Sequence, residues 1–129
     1  MNIEHIAFWV YDLDAFCAFY EHNFGASVGP LYENPANGFR SRFLSFSTGA
    51  RIEAMTTTTL SPIQLPDGAQ RMGLTHIAVS LGSESAVDKL TAELKAQGVP
   101  VLDGPRRTGD GYYESVILDP EGNRLELTV

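Results

Sequence analysis

The feature that most constrains this chain is that it is written twice. "HIA" at residues 5 to 7 returns at residues 76 to 78, an offset of 71. Each copy is followed by an acid- or serine-marked turn and a segment with helical spacing. In the first, Leu13, Phe16, Cys17, Tyr20 and Phe24 share one face, with Asp12 or Asp14 as N-cap and Gly25 as the stop. In the second, Val87, Leu90 and Leu94 make the stripe, Ser83 or Ser85 caps it, and Gly98 stops it. The offset is then 73 and holds to the end. "NGFRSRFLSF" (37 to 46) lies under "DGYYESVILD" (110 to 119), and "GARIE" (49 to 53) under "GNRLE" (122 to 126).

Each half therefore reads as strand, helix and three strands. A βαβββ unit covers one face of its sheet with its own helix and needs a second unit for the other. The expected fold is α+β, two curved sheets enclosing a shared cleft, in a single domain. Module 1 covers about 1–55, a connector carrying Pro62, Pro66 and Gly68 covers about 56–73, and module 2 covers about 74–129. The connector is long for a loop within a compact domain, so it extends a strand, shapes the site mouth or crosses to a partner.

Strand alternation assigns the faces. His5, Ala7 and Trp9 oppose Ile6, Phe8 and Val10; His76, Ala78 and Ser80 oppose Ile77, Val79 and Leu81. In the closing strands Arg51, Glu53 and Met55 oppose Ile52 and Ala54, while Arg124, Glu126 and Thr128 oppose Leu125, Leu127 and Val129. The apolar sides belong under the helices. Both histidines and both glutamates then face the cleft, each histidine with a small alanine two residues on. A lone histidine opening a strand would mean little, but both residue types recur together at corresponding positions. His5, Glu53, His76 and Glu126 form a candidate metal set. Imidazole and carboxylate without thiolate suit one divalent ion among Ni, Zn, Co, Mn and Fe(II). Four such ligands leave positions open for substrate, as a catalytic metal requires.

Composition excludes other classes. With 16 acidic against 9 basic residues and a net charge of −7, the chain has no basic stripe for nucleic acid. Its basic groupings are Arg40 with Arg42 and Arg106 with Arg107. No apolar run approaches the ~20 residues of a membrane span. No signal-like segment precedes the first strand, and Cys17 is a single cysteine, so a reducing, cytoplasmic setting is expected.

With its paired βαβββ units, the four ligand-type residues and the closing segment "DPEGNRLEL" (119 to 127), the whole chain resembles the glyoxalase / bleomycin resistance / dioxygenase superfamily, the vicinal oxygen chelate proteins. The His-Glu-His-Glu set is most similar to glyoxalase I. Dioxygenase and thiol-transferase members typically use two His and one Glu, which makes Glu53 the discriminating residue. The resemblance implies a homodimeric lyase or isomerase that converts a hemithioacetal, a thiol adduct, to a hydroxyacyl thioester. A metal-stabilised enediolate would form while Glu126, with Glu53 as its counterpart, moves the proton. It leaves open whether each site lies within one chain or across a swapped dimer. Trp9 stands where bacterial glyoxalase I has a glutathione-binding arginine, and Thr57 where it has an asparagine, so those contacts are not reproduced. Trp9, Phe46, Met55 and Tyr113 are candidate walls for substrate, and Arg42 and Arg107 candidates for a substrate carboxylate. The competing expectations are another superfamily metalloenzyme (dioxygenase, epimerase or thiol transferase) and a small-molecule-sequestering protein of the drug-binding kind.

Overall fold

The computed structural model describes residues 1–62 and 72–129. Pro66, Gly68 and the middle of the expected connector, residues 63–71, lie outside the described residues. The chain divides into two compact units, Met1–Leu65 and Pro66–Val129.

In the first unit, β1 (His5–Trp9) leads into α1 (Leu13–Phe24), then β2 (Ser27–Val28), β3 (Tyr32–Asn34), β4 (Phe39–Ser45) and β5 (Arg51–Thr56). The second has β6 (Ile77–Ser80), α2 (Glu84–Ala96), β7 (Val101–Arg107), β8 (Tyr113–Leu118) and β9 (Arg124–Thr128). The fold is α+β, with a five-stranded sheet in the order β1-β5-β4-β2, β3 also pairing β4, and a four-stranded sheet in the order β6-β9-β8-β7. In both, the first strand runs parallel to the last.

The expected three strands after each helix hold in the second unit, but the first has four. The segment matching β7 is broken into β2 and β3 at Gly29-Pro30-Leu31. Proline lacks the N–H that a continuous ladder would use there. At the matching place β7 stays continuous yet shifts register on either side of Asp103. Gly104, with φ of 75°, has no room for a side chain: a Cβ would lie 2.5 Å from the Glu114 carbonyl oxygen.

Both helices are capped at equivalent residues. Asp12 Oδ1 accepts from Ala15 N at 2.9 Å, and Ser83 Oγ from Ala86 N at 3.2 Å. Helix α1 ends on left-handed Gly25, whereas α2 is one residue longer and ends on Gln97 before Gly98, which accounts for the change of offset. Leu13, Phe16, Cys17 and Tyr20 are buried, with Phe24 half-buried at the end of the stripe. In α2 the buried residues are Val87, Thr91 and Leu94, and Leu90 is only half-buried. Thr91 is tolerated in the core because its hydroxyl bonds to the Val87 carbonyl and to buried Ser115 Oγ, each at 2.6 Å.

The closing motif has a structural role. Asp119 is buried, and its carboxylate accepts from Glu121 N, Asn123 N and Asn123 Nδ2 at 2.8–2.9 Å. These bonds shape the turn that delivers β9, and with it Glu126. Asp119→Ala should destabilise the protein by about 2–3 kcal/mol, the scale for hydrogen bonds to a charged group, measured as a lower midpoint in urea unfolding.

Candidate metal centre

Each unit carries one histidine–glutamate pair, built the same way. Parallel pairing sets Ala7 opposite Glu53 and His5 opposite Arg51. In the second unit Ala78 is opposite Glu126, and His76 immediately precedes β6. The imidazole thus reaches diagonally over an alanine to the carboxylate. His5 Nε2 lies 3.7 Å from Glu53 Oε2, and His76 Nε2 lies 3.3 Å from Glu126 Oε2. The side chains of His5 and His76 are 39% and 41% exposed, those of Glu53 and Glu126 19% and 17%. Metal–N and metal–O bonds of about 2.0–2.2 Å would put adjacent ligand atoms roughly 3 Å apart or slightly more, so each pair fits two neighbouring ligands of one ion. Among the described residues no group of three or more His, Cys, Asp or Glu side chains comes together as a metal site. What the two units repeat is a pair.

The surroundings of the pairs differ. The Glu4 carboxylate takes a close hydrogen bond from His5 Nδ1 and another from Arg51 Nε at 2.7 Å. The His5 hydrogen bond, with help from Arg51, holds the Glu4 carboxyl below its ordinary value. The Arg51 guanidinium lies 4.1 Å from the centre of the Phe43 ring, and Phe43 meets the His5 ring edge to face at 5.4 Å. Beside the second pair is another carboxyl, Glu114, two residues before Val116, which is the residue opposite Glu126. Burial, then the charge of Glu126 and a hydrogen bond with it, push the Glu114 carboxyl above its ordinary value. Arg106, across from Glu114, is tied to Asp103 at 2.8 Å.

The candidate substrate residues divide by face. Trp9 and Met55 are opposite each other on the side of the first pair. Trp9 meets Phe39 edge to face at 6.1 Å, and Phe39 lies 6.0 Å from Tyr32. Arg42 does not join them. It is opposite Ala54, on the α1 side, and donates to the Gly29 carbonyl at 2.9 Å. Phe46 lies one residue past β4, where alternation carries it toward the side of buried Leu44. Tyr113 and Arg107 are opposite each other on the α2 side. The Tyr113 hydroxyl donates to Asp88 at 2.6 Å, and Arg107 is ion-paired with Glu84. Arg107 and Tyr113 therefore serve helix–sheet contacts and Arg42 a contact within the first sheet's edge, none of them on the pair face.

A model of the Glyoxalase/Bleomycin resistance protein/Dioxygenase superfamily matches residues 2–127. The chain belongs to this superfamily. Metallothiol transferase FosB of Lysinibacillus sphaericus is 28% identical over 126 residues, covering 98% of this chain and 80% of that protein. The uncharacterized protein YqjT of Bacillus subtilis is 38% identical over 60 residues, a match spanning 44% of this chain and 47% of YqjT. The fold is that of the trypanothione-dependent glyoxalase I of Leishmania major, with a TM-score of 0.75 at 21% identity, covering 99% of this chain and 86% of that one.

Several residues of this superfamily member's pair faces were not singled out by the sequence. Phe43 and Phe39 follow from counting alternation back from Glu53, but only once the β4–β5 register is known. Glu114 lies beside Tyr113, and Arg106 is marked by the sequence only as half of a basic pair with Arg107; a one-residue step changes the face. A carboxyl raised in the folded state contributes stability while protonated and loses it as pH rises through its folded value. Glu114→Gln should therefore raise the thermal midpoint at pH 7 and leave it little changed well below 4.5, the ordinary value. Calorimetric scans at the two pH values measure the difference.

Proposed function

We propose that this superfamily member is a metal-dependent lyase or isomerase of the glyoxalase I type, acting on a hemithioacetal or a similar substrate with vicinal oxygens. His5, Glu53, His76 and Glu126 are the ligands of one divalent ion, and Glu126 is the proton-moving base. The observation that carries this reading is the recurrence of the same His–Glu pair, in the same register and at the same exposure, in both units. When bound, the metal supplies positive charge to offset the negative charge that develops on the substrate oxygens. Glu126 takes the proton from one carbon and returns it to its neighbour, the task of a general base. Glu53 is its counterpart from the first unit. Trp9, Met55 and Phe39 offer an apolar wall for the substrate's carbon skeleton, and no arginine occupies the Trp9 position to hold glutathione.

Thiol transfer is the second reading, favoured by the match to FosB over nearly the whole chain. Glu53, the fourth ligand-type residue, weighs for isomerisation. A homodimer in the cytoplasm, with a small-molecule substrate and no nucleic-acid or membrane partner, completes the proposal. Among the described residues no helix is long and apolar enough to cross a membrane.

Elemental analysis of protein purified without a metal-affinity tag, followed by metal add-back on a panel of hemithioacetals, tests the reading. One bound divalent ion is expected for each set of four ligands. Glu53→Gln should lower metal affinity, and Glu126→Gln should lower turnover about 10²- to 10⁴-fold, the usual contribution of a general base. Full activity in both variants would sink the proposal. Thiol adducts without isomerisation would favour the transferase, and ligand binding indifferent to chelators would favour a sequestering protein.

A further inference from the structure

We propose that Glu4 is a positioning residue: braced by Arg51, its carboxylate fixes the His5 ring with Nδ1 protonated and Nε2 turned to the metal, so the first pair is pre-set and the second is not. The purpose assigned to Nε2 rests on the metal reading above; the state of the ring does not.

The argument begins with the backbone. Glu4 directly precedes β1, and its carbonyl oxygen accepts from Arg51 N at 2.9 Å, so the sheet ladder fixes where its side chain starts. The carboxylate then bridges two donors, His5 Nδ1 and the Arg51 guanidinium, which bonds through Nε and pairs through Nη2. An ionised carboxylate only accepts hydrogen bonds. The hydrogen between Glu4 and His5 therefore sits on Nδ1. In the neutral imidazole that binds metals, Nε2 then carries the lone pair, and it faces Glu53 Oε2 at 3.7 Å. Two acceptors facing each other at that distance suit a cation between them. Phe43 completes the brace, under the Arg51 guanidinium and in a T-shaped contact with the His5 ring.

The second unit keeps an arginine, Arg124, at the place of Arg51, but lacks the carboxylate and the ring. Thr75 precedes His76, and a hydroxyl both donates and accepts, so it dictates no tautomer. Val116 is opposite Glu126 where Phe43 is opposite Glu53, and it offers no ring. Carboxylates that orient a ligating histidine from behind typically change metal affinity about 10- to 100-fold when removed. Here that leverage acts on one pair only.

The test uses the full chain, with ring ¹⁵N NMR on the metal-free protein and zinc titration by calorimetry. In the wild type, at a pH where the His5 ring is neutral, Nδ1 should be protonated and Nε2 bare. Glu4→Ala should shift its ring nitrogens toward the opposite tautomer and weaken zinc binding about 10- to 100-fold. Glu4→Gln, which keeps an accepting oxygen, should restore the ring signature. Thr75→Ala should leave both His76 and zinc affinity unchanged. Ring nitrogens of His5 unmoved in Glu4→Ala, with the thermal midpoint also unchanged, would overturn the proposal. A wild type that binds no zinc would overturn the metal reading, and the ring-nitrogen comparison would still decide the role of Glu4.

Discussion

Everything proposed for this chain depends on one pairing, the parallel ladder between the first and last strand of each unit. It sets Ala7 beside Glu53 and Ala78 beside Glu126, and so brings a histidine within reach of a carboxylate. Side chains in a strand alternate with period two, so a slip of one residue would send Glu53 or Glu126 toward the helix and bring a core residue out. Burial opposes that slip. Ile52 and Ala54 in the first unit, and Leu125 and Leu127 in the second, are almost wholly shielded. Exposing each large aliphatic side chain would forfeit about 1.5–3 kcal/mol. Ladder bonds continue beyond the strand ends, from Val10 N to the Met55 carbonyl and from Leu81 N to the Thr128 carbonyl. The core, lying on the opposite face, is what holds the candidate ligands in register.

This dependence explains what could be read in the sequence. Duplication, caps and two-fold alternation are local signals, and they yield the βαβββ pattern that holds in the second unit, each cap to within two residues (Asp12 or Asp14, Ser83 or Ser85), and the face of every candidate ligand. The broken strand in the first unit is also local in origin, since Pro30 withholds a donor, yet a single proline does not say whether a strand ends or bulges. Less legible was anything that depends on register between distant segments. Arg42, Arg107 and Tyr113 looked like site residues because of their chemistry, but each is one position out of phase with the pair face. Thr91 took a core place that helical spacing alone gives to Leu90, because Ser115 supplies its hydrogen-bond partner from another element.

The two units share a scaffold but not a chemical environment. The first surrounds its pair with aromatic rings and a guanidinium clamped on a carboxylate. The second sets an extra carboxyl, Glu114, near its glutamate, where burial and then like charge work against ionisation. The residue in the Glu114 position of the first unit is buried Ser41. The same pair is therefore set among rings and an ion pair in one unit and beside a second carboxyl in the other.

Because the residues of each pair come from strands that are adjacent in space yet lie at opposite ends of their unit, the chain between them can change length without disturbing the pair. The second unit shows it: its extra residues are taken up where α2 runs on to Gln97, far along the chain from both His76 and Glu126. Insertions in loops and at helix ends are thereby uncoupled from the pair geometry, while a one-residue insertion within any of the four ligand-bearing strands is not.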